Sequence, residues 1–103
     1  MKTALAWTSA ALMCGAAVPA GAQDVQGRNL AASCAICHGT DGRNAVKDGP
    51  LIPLAGLPKD HIATQMRAFR DGKRPATVMH QIARGYTDPQ IDAIAAWFAA
   101  QKR

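Results

Sequence analysis

The residues with the clearest chemical potential are the motif C-A-I-C-H at residues 34–38, in which a histidine directly follows the second of two cysteines. Thiol and imidazole groups at this spacing can bind a structural metal, form a redox-active dithiol or attach a haem. Each of these uses defines a different class of protein. The remaining residues of the chain must therefore decide among them.

Zinc and redox uses of the motif are disfavoured by the rest of the chain. A structural zinc ion normally needs four protein ligands, but His61 and His80 lack the spacing of a histidine pair, and Cys14 lies in the leader described below. A redox dithiol belongs in a β-α-β setting, and no segment here alternates as a strand does. A disulfide between Cys34 and Cys37 would close a small, strained ring.

Haem attachment fits the motif best. The two thiols can add to the two vinyl groups of one porphyrin, and His38 is then held beneath the iron as an axial ligand. Aromatic residues make up only 5% of the chain, and a short chain with so thin a core gains stability from a large apolar cofactor. We therefore predict one haem c, covalently bonded to Cys34 and Cys37.

Two methionines and one histidine are candidates for the sixth ligand of the iron. Met66 shares a predicted helix face with Ile62 and Phe69, which is typical of a core residue. Met79 stands in a turn-rich segment before the last helix, so the chain can pass over one haem face and return across the other. We predict Met79 as the ligand, since a thioether favours ferrous iron. Its neighbour His80 is the competing ligand.

Residues 1–22 have the pattern of a secretory signal peptide. Lys2 precedes a run of small and apolar residues over 4–18, and an A-x-A cleavage site ends the segment. We predict cleavage after Ala22, which leaves a mono-haem domain of residues 23–103 in the periplasm with no membrane span. Export agrees with covalent haem attachment, which takes place outside the bacterial cytoplasm.

The segments after the leader are predicted to be helices joined by loops. Helices are expected over residues 25–36, 59–71 and 88–101, with a short helical turn at 77–84 and a long loop over 39–56. Asp24 is expected to cap the first helix, with Val25, Leu30 and Ala31 facing inward, and Thr87 begins a capping box for the last helix. The fold class is therefore all-α.

Beyond the haem motif, the mature chain resembles the class I cytochromes c. Gly27 matches the glycine that the family has on its first helix, and Trp97 matches the aromatic residue that packs against this glycine from the last helix. Gly49-Pro50-Leu51 is similar to the family's G-P-x segment, whose proline carbonyl accepts the N–H of the ligand histidine. The resemblance implies the small class I fold around one haem, with Pro50 orienting His38.

Within this family the chain is most similar to the cytochrome subunits of flavocytochrome c sulfide dehydrogenases and to related small bacterial cytochromes. The similarity lies in P-L-A-G at residues 53–56, Q-M-R-A-F-R-D-G-K-R at 65–74 and the segment that begins V-M-H-Q-I-A-R-G-Y at 78–86. It implies one-electron transfer, with this chain as the haem subunit that accepts electrons from an FAD-containing flavoprotein. No catalytic activity is expected of the chain alone.

Two alternatives to that function come from the same residues. One is a free soluble carrier that delivers electrons to a terminal oxidase or another reductase. The other is a haem sensor or peroxidase, which needs an open sixth position and acid/base groups. Met79 and the absence of Glu from the sequence argue against the second alternative.

The charge of the chain is modest, with a formal net value of +5 that falls by one when Lys2 is removed with the leader. With no run of Lys or Arg, the sequence does not favour a nucleic-acid partner. The basic residues near Met79 predict either a docking surface for an acidic redox partner or a solvated helix face: Arg67, Arg70, Lys73, Arg74 and Arg84.

Overall fold

The protein is an all-α domain, as predicted. The computed structural model describes residues 15, 20–43, 49 and 51–103. Its helices are α1 (Ala20–Ala31), α2 (Ala35–His38), α3 (Lys59–Arg70), α4 (Met79–Ala83) and α5 (Asp88–Ala99), with 3₁₀ turns at Ala32–Cys34 and Thr40–Gly42. No strand occurs in the described ranges. In those ranges no helix is both long and apolar enough to cross a membrane.

Most of the predicted signal peptide lies outside the described residues, so the leader and its cleavage site remain predictions. The first helix differs from the expected one at both ends. It begins at Ala20, so Asp24 lies within the helix and is not its N-cap. It ends at Ala31, and the haem motif follows in the 3₁₀ turn and in α2.

The inward face of α1 is set by Gly27 and Ala31, which are both buried and lie four residues apart. Leu30 is half-buried against the core, as expected. Val25 is 58% exposed, so its predicted inward position is wrong. Two residues correspond to about 200° of rotation in a helix, which places Val25 on the side opposite Gly27.

Two predicted helices begin at the expected residues, end within two residues of the expected ends and bury the expected faces. On α3, Ile62, Ala63 and Met66 are buried at helical spacing. The capping box of α5 is confirmed: the N–H of Gln90 donates to Thr87 Oγ1 at 3.3 Å, and the N–H of Thr87 donates to Gln90 Oε1 at 2.9 Å. These bonds satisfy two N–H groups that the start of the helix leaves without partners. The buried residues of α5 complete the core: Ile91, Ile94, Ala95 and Phe98.

Helix α1 crosses α5 at Gly27, which has no space for a side chain. A Cβ atom at this position would lie 2.8 Å from the carbonyl oxygen of Ala93 and 3.3 Å from Cβ of Trp97. The expected contact between this glycine and the aromatic residue of the last helix is therefore confirmed. Since the haem motif directly follows α1, this crossing also fixes where that motif lies.

The described parts of the long loop are bonded to the helical core by main-chain groups. The N–H groups of Leu54 and Ala55 both donate to the Gly42 carbonyl, at 2.8 and 3.1 Å. The N–H of Gly56 donates to the carbonyl of Phe98 at 2.9 Å. These bonds hold residues 52–56 beside the end of the haem motif.

The close crossing predicts that Gly27→Ala destabilises the holoprotein. The added Cβ must separate two packed helices, and overpacking of this kind costs about 1–3 kcal/mol of unfolding free energy. Denaturant unfolding followed by far-UV circular dichroism measures the change. Gly85→Ala is the matched control, because its Cβ would meet only the Ile82 carbonyl oxygen at an ordinary 3.4 Å. Equal losses in the two variants would contradict the crossing.

Candidate haem site

The two cysteines of the motif form no disulfide with each other. Cys34 ends the 3₁₀ turn and is half-buried against the core, whereas Cys37 lies in α2 and is exposed. Burial raises the pKa of the Cys34 thiol. A spacing of three helical residues places the two sulfurs on one side of the chain, where both can bond to one planar group.

His38 is the last residue of α2, and its Nδ1 lies 3.0 Å from the carbonyl oxygen of Ile52. A carbonyl only accepts hydrogen bonds, so Nδ1 must carry the proton of the neutral ring. The lone pair of Nε2 is then available for a metal ion. A carbonyl partner of this kind also orients a ligand imidazole and raises its basicity.

Pro50, the residue predicted to supply that carbonyl, lies outside the described residues, and its role stays a prediction. The carbonyl found beside His38 belongs to Ile52, two residues further along. The bonds from Leu54 and Ala55 to Gly42 explain this position, since they draw the chain just after Ile52 towards the end of the haem motif.

The two methionines that follow the predicted leader, Met66 and Met79, have different surroundings. Met66 is 7% exposed within the core of α3 and α5, as expected for a core residue. Met79 is the first residue of α4 and is half-buried at the edge of the same core. One turn later Ala83 is fully buried, which fixes the inward face of this short helix. Of the two thioethers, that of Met79 is the more accessible to a cofactor.

His80 has a buried ring nitrogen that lacks a partner. Its Nδ1 makes no hydrogen bond within the part of the chain that the structure describes. Buried polar atoms are nearly always paired, because leaving one unpaired costs about 1–3 kcal/mol. The surroundings of His80 therefore fit a polar group or metal ion that these residues do not themselves supply. A haem, with its propionates and its iron, can supply either.

Large apolar side chains are exposed around the predicted haem-binding residues. Among the described residues, six such side chains are at least 37% exposed, and five of them lie in or beside the segments that contain the motif, the Ile52 carbonyl or Met79. These five are Ile36, Leu51, Ile52, Val78 and Ile82. Soluble proteins rarely leave such a set uncovered, and a porphyrin is a large apolar group that fits it.

A directly bound metal ion fits the site less well. No group of three or more His, Cys, Asp or Glu side chains has a metal-binding arrangement in the described ranges.

Two of the basic residues near Met79 are held in ion pairs between α3 and α5. Arg67 donates to Asp88 at 3.1 Å and to Asp92 at 2.7 Å, and Arg70 donates to Asp88 at 2.7 Å and to Asp71 at 3.2 Å. The guanidinium groups of Arg70 and Arg67 lower the pKa of Asp88, because they stabilise its carboxylate. These arginines therefore join two helices and are largely neutralised.

A third member of the basic set, Arg74, is also committed to contacts within the protein. It donates to Oε1 of Gln65, and its guanidinium lies 4.7 Å from the ring centroid of Phe69. Lys73 and Arg84 are exposed and make no ion pair with the described residues. The predicted docking surface is thus reduced to two available cations.

Comparison with known proteins identifies the family. Residues 25–102 match the family model described as Cytochrome c, and the chain therefore belongs to the cytochrome c family. Membership of this family makes the cofactor a covalently bound haem c, for which the cysteine spacing is suited.

Three relatives illustrate the range of this similarity. The chain is 40% identical over 74 residues to the cytochrome subunit of sulfide dehydrogenase from Chlorobaculum tepidum, a match that covers 71% of this chain and 64% of the relative. It is 39% identical over 72 residues to the thiosulfate dehydrogenase electron acceptor of Thiomonas intermedia, covering 70% and 33%. It is 34% identical over 80 residues to cytochrome c-554(548) of Halomonas halodenitrificans, covering 74% and 93%. The chain thus spans less than two thirds of the first two relatives.

Covalent attachment predicts that the denatured wild-type protein keeps its haem through acid–acetone extraction. Its intact mass should exceed that of the polypeptide by one haem, because thioether bonds survive unfolding. Cys34→Ala/Cys37→Ala should release all of its haem, whereas the control Ile36→Ala, which keeps both thiols, should release none. Extraction of free haem from the wild type would contradict the assignment.

Proposed function

We propose that this chain is a periplasmic one-electron carrier whose single haem iron is bound by His38 and Met79. The observation that best supports the proposal is the 3.0 Å contact between His38 Nδ1 and the Ile52 carbonyl. It presents the free Nε2 of a histidine adjacent to two thioether-forming cysteines. The position of Met79 at the edge of the core supports the second ligand.

The bound haem supplies the one-electron chemistry, and the residues of the chain set the conditions for it. Cys34 and Cys37 anchor the cofactor, and His38 is oriented by Ile52. The thioether of Met79 is a soft, neutral donor, which favours the ferrous state and raises the reduction potential. The protein thus needs to hold two ligands fixed while the charge of the iron changes.

The side chains around the site favour electron transfer over the activation of a molecule bound to the iron. A peroxidase needs acid/base groups beside an open iron position. The sequence contains no Glu, and among the described residues the one acid/base group next to Met79 in the chain is His80. The five exposed apolar side chains around the site fit a covered porphyrin and give no acid/base group.

We further propose that the electrons come from a dehydrogenase that oxidises an inorganic sulfur compound. Two of the relatives, 40% and 39% identical to this chain, have sulfide dehydrogenase or thiosulfate dehydrogenase in their names. An FAD-containing flavoprotein subunit is the specific partner that we propose. A free carrier to a terminal oxidase or another reductase is the alternative. The predicted signal peptide supports a periplasmic location for either role.

The axial assignment predicts a weak near-infrared band of methionine-to-iron charge transfer in the ferric protein. Met79→Leu should abolish this band, because a leucine side chain has no donor atom. Met66→Leu is the matched control and should keep it, since a volume-conserving core substitution costs less than about 1.5 kcal/mol. Absorption spectra of the three ferric holoproteins measure the result.

Two outcomes would contradict the assignment in different ways. Loss of the band in Met66→Leu and its retention in Met79→Leu would transfer the ligand role to Met66. A wild-type protein without the band, but with the spectrum of two histidine ligands, would favour His80, whose buried Nδ1 has no partner among the described residues.

Lys73 and Arg84, which make no ion pair with the described residues, are expected to contact an acidic partner. Lys73→Glu should lower the rate of electron transfer from the flavoprotein several-fold at low salt, because charge pairs steer association, and the difference should shrink as salt rises. Stopped-flow haem reduction measures these rates. Lys59→Glu is the matched control, since it makes the same charge change at the opposite end of α3.

The same flavoprotein can be used to test whether this chain is a free carrier or a permanent subunit. Gel filtration at low and high salt should give a salt-resistant complex for a permanent subunit, because large apolar interfaces depend little on ionic strength. A salt-sensitive encounter without a stable complex supports a free carrier. Docking as a free carrier and docking as a permanent subunit would both be contradicted if no complex formed and if the rates changed with neither salt nor Lys73→Glu.

A further inference from the structure

A hydrogen bond joins the residue before the haem motif to the residue that leads into α5. Ser33 directly precedes Cys34, and Tyr86 lies between α4 and α5 with its ring half-buried against the core. Their hydroxyl oxygens, Ser33 Oγ and Tyr86 Oη, are 3.1 Å apart across 53 residues of sequence. Ser33 Oγ also lies 3.5 Å from the carbonyl oxygen of Leu30. Either hydroxyl can be the donor in the shorter Ser33–Tyr86 bond, and the Leu30 carbonyl can accept from Ser33 only.

The position of this bond distinguishes it from the other side-chain hydrogen bonds of the described residues. Of those bonds, some join α3 to α5, one joins Arg43 to the Lys102 carbonyl and one joins His38 to Ile52. The others join residues that are close in sequence. The Ser33–Tyr86 bond alone among them links the segment that contains Cys34 and His38 to the segment that contains Met79. It therefore connects the two parts of the chain that supply the proposed axial ligands.

The segment that contains Met79 has little internal rigidity. Helix α4 has only five residues, and so short a helix is not stable on its own. Its N-terminal flanking residue, Val78, has non-helical backbone angles and is 51% exposed. The position of Met79 must then depend on contacts outside α4. Its inward face packs on α3, and Tyr86 fixes the chain three residues after Ala83.

We propose that the Ser33–Tyr86 hydrogen bond is a latch that holds the Met79 segment closed over the haem-attachment segment. Tyr86 is a positioning residue, because it acts on the iron through Met79. The latch sets how readily an external ligand displaces Met79 from ferric iron. The inference rests on the proposed role of Met79 as an axial ligand.

The test is an imidazole titration of the ferric holoprotein, followed by loss of the near-infrared methionine band. Tyr86→Phe removes the hydroxyl and keeps the packed ring, and Ser33→Ala removes the other partner. Each should increase the apparent affinity for imidazole about fivefold, as expected for the loss of one net hydrogen bond. The double variant should show no more than the effect of a single one, because both changes remove the same bond.

The matched control is Arg43→Gln, which removes a long-range hydrogen bond of 3.0 Å to the Lys102 carbonyl, since neither of these residues belongs to the Met79 segment. It should leave the imidazole affinity at the wild-type value. Tm is measured for every variant, because a merely structural role would lower Tm without changing imidazole affinity.

Three results would overturn the latch. The first is wild-type imidazole affinity in both Tyr86→Phe and Ser33→Ala, with the methionine band present. The second is an equal increase in Arg43→Gln. The third is absence of the band from the wild type before imidazole is added, which overturns the proposed axial ligand as well. The first two outcomes leave that axial assignment intact, so the two failures are distinguishable.

Discussion

The close contact between α1 and α5 at Gly27 is the constraint on which the arrangement of the site depends. A single Cβ atom there would lie 2.8 Å from the Ala93 carbonyl oxygen, so the two helices meet with their backbones nearly in contact. The end of α1 leads directly into the cysteines and His38, whereas α5 also packs on α3. The crossing thus places the haem-attachment segment relative to the helices that carry both methionines.

The core built on this crossing is small and leaves part of its lining to the cofactor. Aliphatic residues and Phe98 fill the contacts among α1, α3 and α5. The side chains on the haem side, such as Ile52 and Val78, remain more than half exposed. The arginine–aspartate pairs between α3 and α5 add directional contacts. They also neutralise Arg67 and Arg70, which the sequence alone had suggested as contacts for a partner. Fewer unpaired cations are therefore available beside Met79 than its composition indicates.

Local sequence patterns were sufficient to predict much of the fold. The motif at residues 34–38, the buried face of α3 and the capping box at Thr87 depend on spacings of three or four residues, which a sequence displays directly. The outward position of Val25 was missed because the face of α1 is set by its crossing with a distant helix.

Contacts that depend on the path of a loop could not be predicted in this way. The carbonyl beside His38 belongs to Ile52, and no side-chain property marks which carbonyl of a loop will point at a given ring. The Ser33–Tyr86 bond likewise joins two hydroxyl groups with no periodic relation. The unpaired Nδ1 of His80 became visible only when its burial was known.

The central claim is that His38 and Met79 bind one iron, and proton–carbon NMR of the reduced holoprotein tests it most directly. If the predicted leader is removed, Met66 and Met79 are the methionines left in the chain, so selective labelling of methionine methyl groups gives two signals. If Met79 is the ligand, the porphyrin ring current should displace the Met79 methyl signal far upfield and leave the Met66 signal near its ordinary position in a protein core. Two ordinary signals, or displacement of the Met66 signal instead, would contradict it.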